Sequence, residues 1–263
     1  MRIDFIILTW NSEKYILHCL NSILESNDVY EIYIHVVDNG STDSTLTIIK
    51  NNFPRVNLIA LDSNIGTTRS RNLALKLIPE TSDYICILDS DTVISNESIF
   101  KLIKALENDA AYGIAVPTMH NSYFENQISC KHFPTILIKF LKPMPIKILE
   151  NLGKKLENYD FSSDESIFEV DYGISACWLI KYSCFKKVGL LDQNIFYAPE
   201  DVDYCLRAWK NGFKVVYVKN SIILHDTQRI SRKKLFSKMN FEHIKGLLYF
   251  FHKHGYWFRR PKF

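Results

Sequence analysis

The sequence predicts an α/β protein with a single Rossmann-like domain, in which helices flank a mostly parallel central sheet. Residues 1–118 alternate β-branched, strand-like runs with longer segments whose apolar residues recur at helical spacing. This alternation is typical of βαβ units, whose strands run parallel. Polar clusters follow three of the runs, and parallel sheets bind ligands at the carboxyl ends of their strands. We therefore expect residues 1–118 to form a nucleotide-binding half.

The elements of this half are expected in strict alternation. The strands are predicted at Ile3–Thr9, Ile32–Asp38, Val56–Leu61, Tyr84–Asp89 and Gly113–Pro117. The helices are predicted at Glu13–Ser26, Ser44–Asn51, Thr67–Leu77 and Ser98–Glu107. The first helix carries on one face the apolar residues Ile16, Cys19, Leu20, Ile23 and Leu24.

The other half of the domain, residues 119–228, is expected to bind the acceptor. Residues 119–170 are interrupted by Pro134, Pro143 and Pro145 and are predicted to form an irregular insertion. The later elements are predicted as a strand at Val170–Ile180, a helix through Lys186, a helix at Val202–Lys210, and strands at Lys214–Val218 and Ile222–His225.

The segment 229–263 is predicted to be a basic helical tail. It carries ten Lys and Arg residues against one acid, whereas the preceding 228 residues carry 22 basic and 28 acidic residues. Aromatic residues are interleaved with this charge. Two interpretations stay open: the helix contacts anionic lipid at a membrane interface, or it packs on its own domain. We expect no nucleic-acid partner, because no recognised binding motif is present.

The six cysteines are predicted to be reduced and buried. They form no CxxC pair and no zinc-binding Cys/His spacing, and several lie inside apolar runs. No apolar run approaches the ~20 residues of a membrane-spanning helix. The first strand contains an acid and no signal-peptide cleavage site. We expect a cytoplasmic protein whose membrane contact, if it has one, is peripheral and at the inner face of the cell membrane.

Two carboxylates in Leu88-Asp89-Ser90-Asp91 lie at the end of the strand predicted at Tyr84–Asp89. A hard divalent cation such as Mg²⁺ or Mn²⁺ prefers oxygen ligands and bridges phosphate oxygens, so this pair is a candidate metal and diphosphate site. The alternative is that both acids are turn or capping residues ahead of the helix at Ser98–Glu107.

A second acidic group, Glu200, Asp201 and Asp203, lies at the start of the helix predicted at Val202–Lys210. An attacking hydroxyl needs a carboxylate within hydrogen-bond reach to take its proton, and Asp201 is the candidate base, with Glu200 orienting the acceptor. The alternative is that these acids only favour the positive end of the helix.

Asp38 ends the second predicted strand and is followed by turn-forming residues. Its carboxylate could accept the imide N–H of uracil or thymine, and the same segment could be a turn that leads into the next helix. A similar polar cluster, Thr9-Trp10-Asn11, follows the first strand and is expected at the nucleotide as well.

Arg69 and Arg71 lie two residues apart on the helix predicted at Thr67–Leu77. They point to different faces of this helix, so only one is expected to meet the ligand. The alternative for either residue is a solvated charge on the helix surface.

In this order, the segments resemble the inverting glycosyltransferases of family 2, which have the GT-A fold, and their rhamnosyltransferase-like branch, which builds bacterial surface polysaccharides. The likeness runs from Ile6 to His225. It consists of Leu8-Thr9-Trp10-Asn11-Ser12, Val36-Val37-Asp38-Asn39-Gly40-Ser41-Thr42-Asp43, Asn64-Ile65-Gly66, Arg71-Asn72, Leu88-Asp89-Ser90-Asp91-Thr92, Trp178-Leu179-Ile180, Val188-Gly189-Leu190-Leu191-Asp192, Glu200-Asp201-Val202-Asp203-Tyr204-Cys205-Leu206-Arg207, Gly212-Phe213 and His225. Each fragment alone is weak, and the combination is specific.

The resemblance implies roles for the matching positions. The donor-binding set is Thr9, Trp10, Asn11, Asp38, Asn39, Asn64, Gly66, Arg71, Asp89, Ser90 and Asp91. Within it, Asp38 would contact the nucleobase. The metal set is Asp91, Asp89 and His225: Asp91 would bind the metal, Asp89 would contact the ribose or a metal-bound water, and His225 would help to hold the metal or the diphosphate. Asp201 would be the general base. The acceptor set is Trp178 and Glu200.

The resemblance implies transfer of a sugar, with rhamnose as one candidate, from a UDP- or dTDP-linked donor to a hydroxyl of a glycan or lipid-linked glycan in surface-polysaccharide synthesis. A single in-line displacement would invert the anomeric carbon. One alternative is a non-catalytic nucleotide-sugar-binding module. Another is a sugar-nucleotide pyrophosphorylase, which would need a glycine-rich loop after the first strand. The chain departs from its relatives at Arg69, where small residues are usual, and at His225, where two histidines are common.

Overall fold

The computed structural model describes residues 1–25, 29–141, 147–226 and 238–263 of the chain. These ranges contain the strands β1 (Arg2–Thr9), β2 (Glu31–Asp38), β3 (Asn57–Ala60), β4 (Tyr84–Asp89), β5 (Thr92–Val93), β6 (Tyr112–His120), β7 (Asn126–Gln127), β8 (Cys130–Lys131), β9 (Ile167–Val170), β10 (Tyr172–Gly173), β11 (Cys177–Lys181) and β12 (Lys214–His225). The helices are α1 (Ile16–Leu24), α2 (Thr45–Asn52), α3 (Thr67–Leu75), α4 (Asn96–Glu107), α5 (Ile136–Leu141), α6 (Lys147–Glu157), α7 (Tyr182–Val188), α8 (Glu200–Lys210) and α9 (Lys238–His254). The predicted alternation of strands and helices in the first half is confirmed.

The main sheet has the strand order β3-β2-β1-β4-β11-β6-β12-β5. Strands β3, β2, β1 and β4 run parallel, β11 is antiparallel to both of its neighbours, and β12 is parallel to β6. In the register of the first strands, Thr9 pairs with Asp38 and Leu8 pairs with Asp89. The polar residues that follow β1, β2 and β4 therefore meet at one edge of the sheet, as predicted.

Two hydrophobic clusters cover the two faces of this sheet. Side chains of a strand alternate between its faces, and β1 accordingly sends Phe5 into one cluster and Ile6 into the other. The first cluster receives α1, α2 and α4, and the second receives α3, α8 and α9. The sheet is therefore a middle layer between two layers of helices.

The prediction of an irregular insertion at 119–170 is wrong for part of this segment, because α5 and α6 are regular helices. Pro134 precedes α5, and Pro143 and Pro145 lie outside the described residues. Pro134 therefore does not prevent α5 from forming directly after it.

Two of the later strand predictions are also corrected. The run predicted as one strand at Val170–Ile180 is divided among β9, β10 and β11, because β10 turns away from the main sheet and pairs with β8. The two strands predicted at Lys214–Val218 and Ile222–His225 form one strand, β12. Its register with β6 shifts between Val218 and Ile222, where the sequence pattern suggested a gap.

The carboxyl-terminal helix α9 packs on the domain. Its Phe250 and Phe251 are buried in the second cluster, whereas Phe241, Ile244 and Leu248 on its other side are exposed. Of the two interpretations of the tail, packing on the domain describes this helix, while residues 229–237 of the tail lie outside the described residues. Within the described ranges, no helix has the length and apolar character that crossing a membrane requires.

All six cysteines are free and buried, as the sequence predicts. Burial raises the pKa of the Cys130 and Cys184 thiols to about 12. Because the thiolate is the reactive form of cysteine, these two side chains are inert at neutral pH.

Candidate active site

The loops after β1 and β2 are joined by hydrogen bonds. The buried carboxylate of Asp38 accepts from the backbone N–H of Ser41 at 2.9 Å and from its hydroxyl at 2.5 Å. Asn11, whose φ is 51°, donates its backbone N–H to the Ser41 hydroxyl at 2.8 Å and accepts from the N–H of Thr42 at 2.8 Å. Asp38 is therefore a structural acceptor in its turn as well as a candidate base contact, and Trp10 beside it is exposed.

The predicted donor residues Asn39, Asn64 and Gly66 form one amide framework. The Asn39 side chain accepts from the backbone N–H of Ile65 at 2.9 Å and from the Ser70 hydroxyl at 2.8 Å, and it donates to the Asn64 side chain at 3.1 Å. Asn64 also accepts from the N–H of Gly66 at 3.0 Å. These bonds hold the loop that leads into α3.

Arg71 is the residue that connects the two halves of the site. Its guanidinium is buried and donates to Asp89 Oδ1 at 2.5 Å and to the Ser175 hydroxyl at 2.9 Å. A Glu200 carboxylate oxygen lies 3.7 Å from the same guanidinium and accepts from the Ser175 hydroxyl at 2.8 Å. Arg69 is exposed, which agrees with the prediction that only one of the two arginines faces the site. The hydrogen bonds of Arg71 and Ser175 fix the start of α8 beside the end of β4.

Asp89, Asp91 and His225 converge on one point. Their ligand atoms all lie within 4.8 Å of one another, and His225 Nε2 is 3.6 Å from Asp91 Oδ1. The pairing of β5 with β12 creates this arrangement, since it places Thr92 opposite His225. The helix α4 is capped by the Ser95 hydroxyl, which accepts from the N–H of Ser98, so the alternative role of the two acids as its caps is wrong.

The chemistry of these three side chains suits a divalent cation. His225 Nδ1 lies 2.9 Å from the Gln127 side-chain oxygen, which can accept the ring proton and leave Nε2 facing Asp91. Burial also lowers the pKa of His225, which favours the neutral imidazole that binds metals.

The two carboxylates at the start of α8 differ in surroundings. Glu200 is buried, and burial together with the charge of Asp201 raises its pKa to about 8. Burial also raises the pKa of Asp201, while Lys131 and Lys139 favour its charged form. Burial and the neighbouring charge thus favour the protonated form of Glu200, whereas the two lysines favour the charged form of Asp201.

Two predicted site residues lie away from the ligand-facing surface. Trp178 has no exposed side-chain area, donates to the Gly173 carbonyl at 3.0 Å and stacks on Tyr204. Its predicted contact with the acceptor is not supported, because its ring lies within the hydrophobic core and its one hydrogen-bond donor is used by Gly173. Ser90 is likewise buried, and its hydroxyl bonds that of Ser12 at 2.8 Å.

The sequence did not identify Ser175 and Gln127 as site residues. Ser175 lies 104 positions from Arg71, and Gln127 lies 98 positions from His225. No motif surrounds either residue, and only the folded chain brings them to their partners.

Comparisons with known proteins identify the family of this chain and several relatives. The profile of glycosyl transferase family 2 matches residues 4–172. The dTDP-rhamnosyl transferase RfbF of Shigella flexneri is 26% identical over 221 residues, which cover 84% of this chain and 67% of that protein. The N-acetylglucosaminyl-diphospho-decaprenol L-rhamnosyltransferase of Mycobacterium tuberculosis is 23% identical over 243 residues, which cover 88% and 78%.

Solved structures share the fold. The crystal structure of Staphylococcus aureus TarS 1–349 in complex with UDP superposes with a TM-score of 0.59 at 20% identity. The match covers 86% of this chain and 61% of that chain. This chain thus spans about three-fifths of the TarS structure, and the likeness concerns the GT-A domain fold.

Proposed function

This chain belongs to glycosyl transferase family 2, and we propose that it is an inverting, metal-dependent member of that family. Its relatives include rhamnosyltransferases, and it is a nucleotide-sugar glycosyltransferase of polysaccharide synthesis. The observation that carries the proposal is the position of Arg71, which bonds Asp89 of the candidate metal site and lies beside Glu200, the neighbour of Asp201. The candidate base and the candidate diphosphate site therefore adjoin.

The proposed reaction is one displacement with Asp201 as the general base. Asp201 accepts the proton of the acceptor hydroxyl as the oxygen attacks the anomeric carbon. The nucleoside diphosphate leaves from the opposite face, so the configuration inverts. The Arg71 guanidinium keeps the Asp89 carboxylate in position through its hydrogen bond to Oδ1. Protonated Glu200 keeps a second negative charge away from Asp201.

The donor is proposed to be a UDP- or dTDP-sugar, with dTDP-rhamnose suggested by the name of the Shigella relative. Asp38 and the exposed Trp10 would face the nucleobase, and Thr9 and Asn11 would complete that side of the site. The framework of Asn39, Asn64 and Gly66 would hold the loop against the donor.

Asp89, Asp91 and His225 would hold Mg²⁺ or Mn²⁺. Such an ion supplies positive charge that stabilises the departing diphosphate. The support for this assignment is the convergence of two carboxylates and an oriented imidazole.

The acceptor is proposed to be a glycan or lipid-linked glycan. The mycobacterial relative is named for a diphospho-decaprenol acceptor. A lipid-linked acceptor would place the enzyme in the cytoplasm at the inner face of the cell membrane, with a peripheral contact through the 229–263 tail. Glu200 is proposed to act on the acceptor side through its neighbour Asp201, because its own side chain is buried.

The test of the proposed function is Asp201→Asn. Release of nucleoside diphosphate from a panel of UDP- and dTDP-sugars is measured with a glycan acceptor. Because the amide cannot take the proton, kcat is expected to fall about 10²- to 10⁴-fold while the Kd of the nucleoside diphosphate stays unchanged. The matched control is Glu80→Gln, an exposed acid ahead of β4, at the opposite end of that strand from Asp89. An Asp201→Asn enzyme with full kcat would exclude Asp201 as the base.

The metal assignment is tested by chelation and by Gln127→Ala. Transfer is expected to stop in excess EDTA and to return with Mn²⁺ or Mg²⁺. Gln127→Ala removes the partner that orients His225, so Mn²⁺ affinity, measured by electron paramagnetic resonance, is expected to fall about 10- to 100-fold. Full activity in EDTA, with no Mn²⁺ signal change on binding, would contradict the assignment.

A further inference from the structure

We propose that the exposed face of α6, together with the chain end at 256–263, is a docking surface for an anionic lipid membrane. The face consists of Ile148, Leu152 and Leu156, whose side chains are 78%, 45% and 37% exposed. They are spaced by four residues and therefore lie on one side of the helix. A contiguous apolar stripe at the surface marks an interaction site, whereas single exposed apolar residues do not.

The charges around this stripe identify its partner. Lys147, Lys154 and Lys155 are exposed on the same helix. One acid of α6, Glu150, pairs with Lys154 at 2.5 Å, and the other, Glu157, is buried and pairs with Lys139 at 3.2 Å. The solvent face of α6 is therefore apolar with a positive rim. A helix with an apolar face and basic residues beside it can lie among the headgroups of an anionic leaflet.

The end of the chain extends the same surface. The Ile136 N–H at the start of α5 donates to the Trp257 carbonyl at 2.9 Å, and the Arg260 guanidinium donates to the Leu156 carbonyl at the end of α6. These bonds fix the chain end beside the two helices. Phe258 next to them is 76% exposed, and the flanking Arg259 is exposed as well. An aromatic ring with adjacent arginine suits the membrane interface.

The docking surface adjoins the acceptor side of the site. Lys139 of α5 pairs with Glu157 of α6, and this same lysine acts electrostatically on Asp201. A membrane on this face would present a lipid-linked acceptor near the base. The inference therefore rests on the proposed function for its purpose, but membrane binding itself needs neither donor nor acceptor.

The test is co-sedimentation of the full chain with vesicles of phosphatidylcholine alone and of phosphatidylcholine mixed with phosphatidylglycerol. Binding to the mixed vesicles that weakens with added salt is expected. The double variant Ile148→Ser, Leu152→Ser is expected to bind them at least about tenfold more weakly, since each lost aliphatic side chain removes buried apolar area. The matched control is Phe100→Ser, which alters a 51% exposed side chain of α4 on the opposite side of the sheet.

A second set of variants, which removes lysine charges, separates electrostatic binding to anionic lipid from nonspecific adsorption. Lys154→Ala with Lys155→Ala is expected to weaken binding to the mixed vesicles and to leave the little binding to neutral vesicles unchanged. Lys101→Ala with Lys104→Ala on α4 is the control, because Lys104, like Lys154, pairs with an acid of its own helix. Thermal melting of each variant checks that it is folded.

Three outcomes would overturn the inference. One is equal vesicle binding by the parent and both α6 variants. Another is loss of binding only in the double variant Phe241→Ser, Ile244→Ser, which would show that the membrane binds to the exposed side of α9 and not to α6. The third is a dimer in solution that the α6 stripe variant converts to a monomer without a change in vesicle binding. In each case transfer to a water-soluble acceptor still reports on the proposed function separately.

Discussion

At the scale of single residues, the site depends on how its buried charged side chains pair with one another. Arg71 is buried between Asp89 and Glu200. Burial and the charge of Asp201 raise the pKa of Glu200, which favours its protonated form, so Asp89, which accepts a hydrogen bond from the guanidinium, is its main counter-charge. A buried charge without its partner is costly, so these side chains constrain each other strongly.

Replacing Glu200 by Gln tests this distribution of protons. The folded-state pKa of Glu200, about 8, is above its ordinary value, so its contribution to stability is complete at low pH and is lost as pH rises toward 8. The amide has no proton to lose. The stability of Glu200→Gln relative to the parent is therefore expected to rise between pH 5 and pH 8, by at most about 1.4 kcal/mol per pH unit.

Urea unfolding of both proteins at several pH values measures this difference. Asp83→Asn at the start of β4 serves as an acid-to-amide control. A difference between Glu200→Gln and the parent that does not depend on pH would show that Glu200 is already ionised in the folded protein.

The residue types of the site were predictable from the sequence, whereas their partners were not. Asp89, Asp91 and Asp201 each follow or begin an element whose boundary the local pattern indicates. Ser175 and Gln127 act through contacts with residues about 100 positions away, which no local pattern encodes.

At the scale of elements, the loop before α3 is held by close backbone contact. Gly66 has a φ of +93°, and a Cβ there would lie 2.5 Å from the Phe196 carbonyl oxygen. The neighbouring Thr67 donates its N–H to that same carbonyl at 2.7 Å. The donor loop and the loop before α8 are thus in direct contact.

Gly66→Ala is expected to separate these loops. The added methyl group must displace the Phe196 backbone, so we expect a loss of about 1 to 3 kcal/mol of stability and a higher KM for the donor. Gly189→Ala is the matched control, because Gly189 has a similar φ of +81° but an added Cβ would meet no atom within 4 Å. Equal effects of the two substitutions on KM would show that backbone conformation, and not contact with Phe196, is responsible.

Element boundaries were predicted best where hydrophobic periodicity coincides with burial. The boundaries of β1, β2 and β4 lie within one residue of the prediction, because most of β1 and β4 and the second half of β2 are buried on both faces. The continuity of β12 was not predictable, since the residues between Val218 and Ile222 are polar and only the pairing of the flanking residues with the distant β6 joins the two runs into one strand.

At the scale of the whole molecule, α9 is held to the domain by a buried charge cluster. Asp203 accepts from Lys253 at 2.6 Å, from His254 at 2.8 Å and from Arg207 at 2.9 Å. Burial alone would raise the pKa of Asp203, but the His254 hydrogen bond and the two cations hold it well below its ordinary range. Asp203 is two residues from Asp201, so the tail helix supports the helix that carries the proposed base.

Asp203→Asn is expected to loosen this attachment. Removing one partner of a buried charge group typically costs about 3 to 5 kcal/mol. The amides of α9 should then exchange with deuterium faster than those of α4, and kcat should fall with little change in donor affinity. Glu97→Gln, which breaks an exposed ion pair with Lys101, is the control and is expected to leave stability nearly unchanged. Unchanged exchange in α9 would mean that its aromatic contacts alone hold it.

The burial of all six native thiols makes the chain ready for site-specific labelling. A cysteine introduced at Leu248, on the outward side of α9, would be the one thiol open to a maleimide dye without removing any native cysteine. Fluorescence from that position could follow the tail helix through a catalytic cycle or on contact with vesicles.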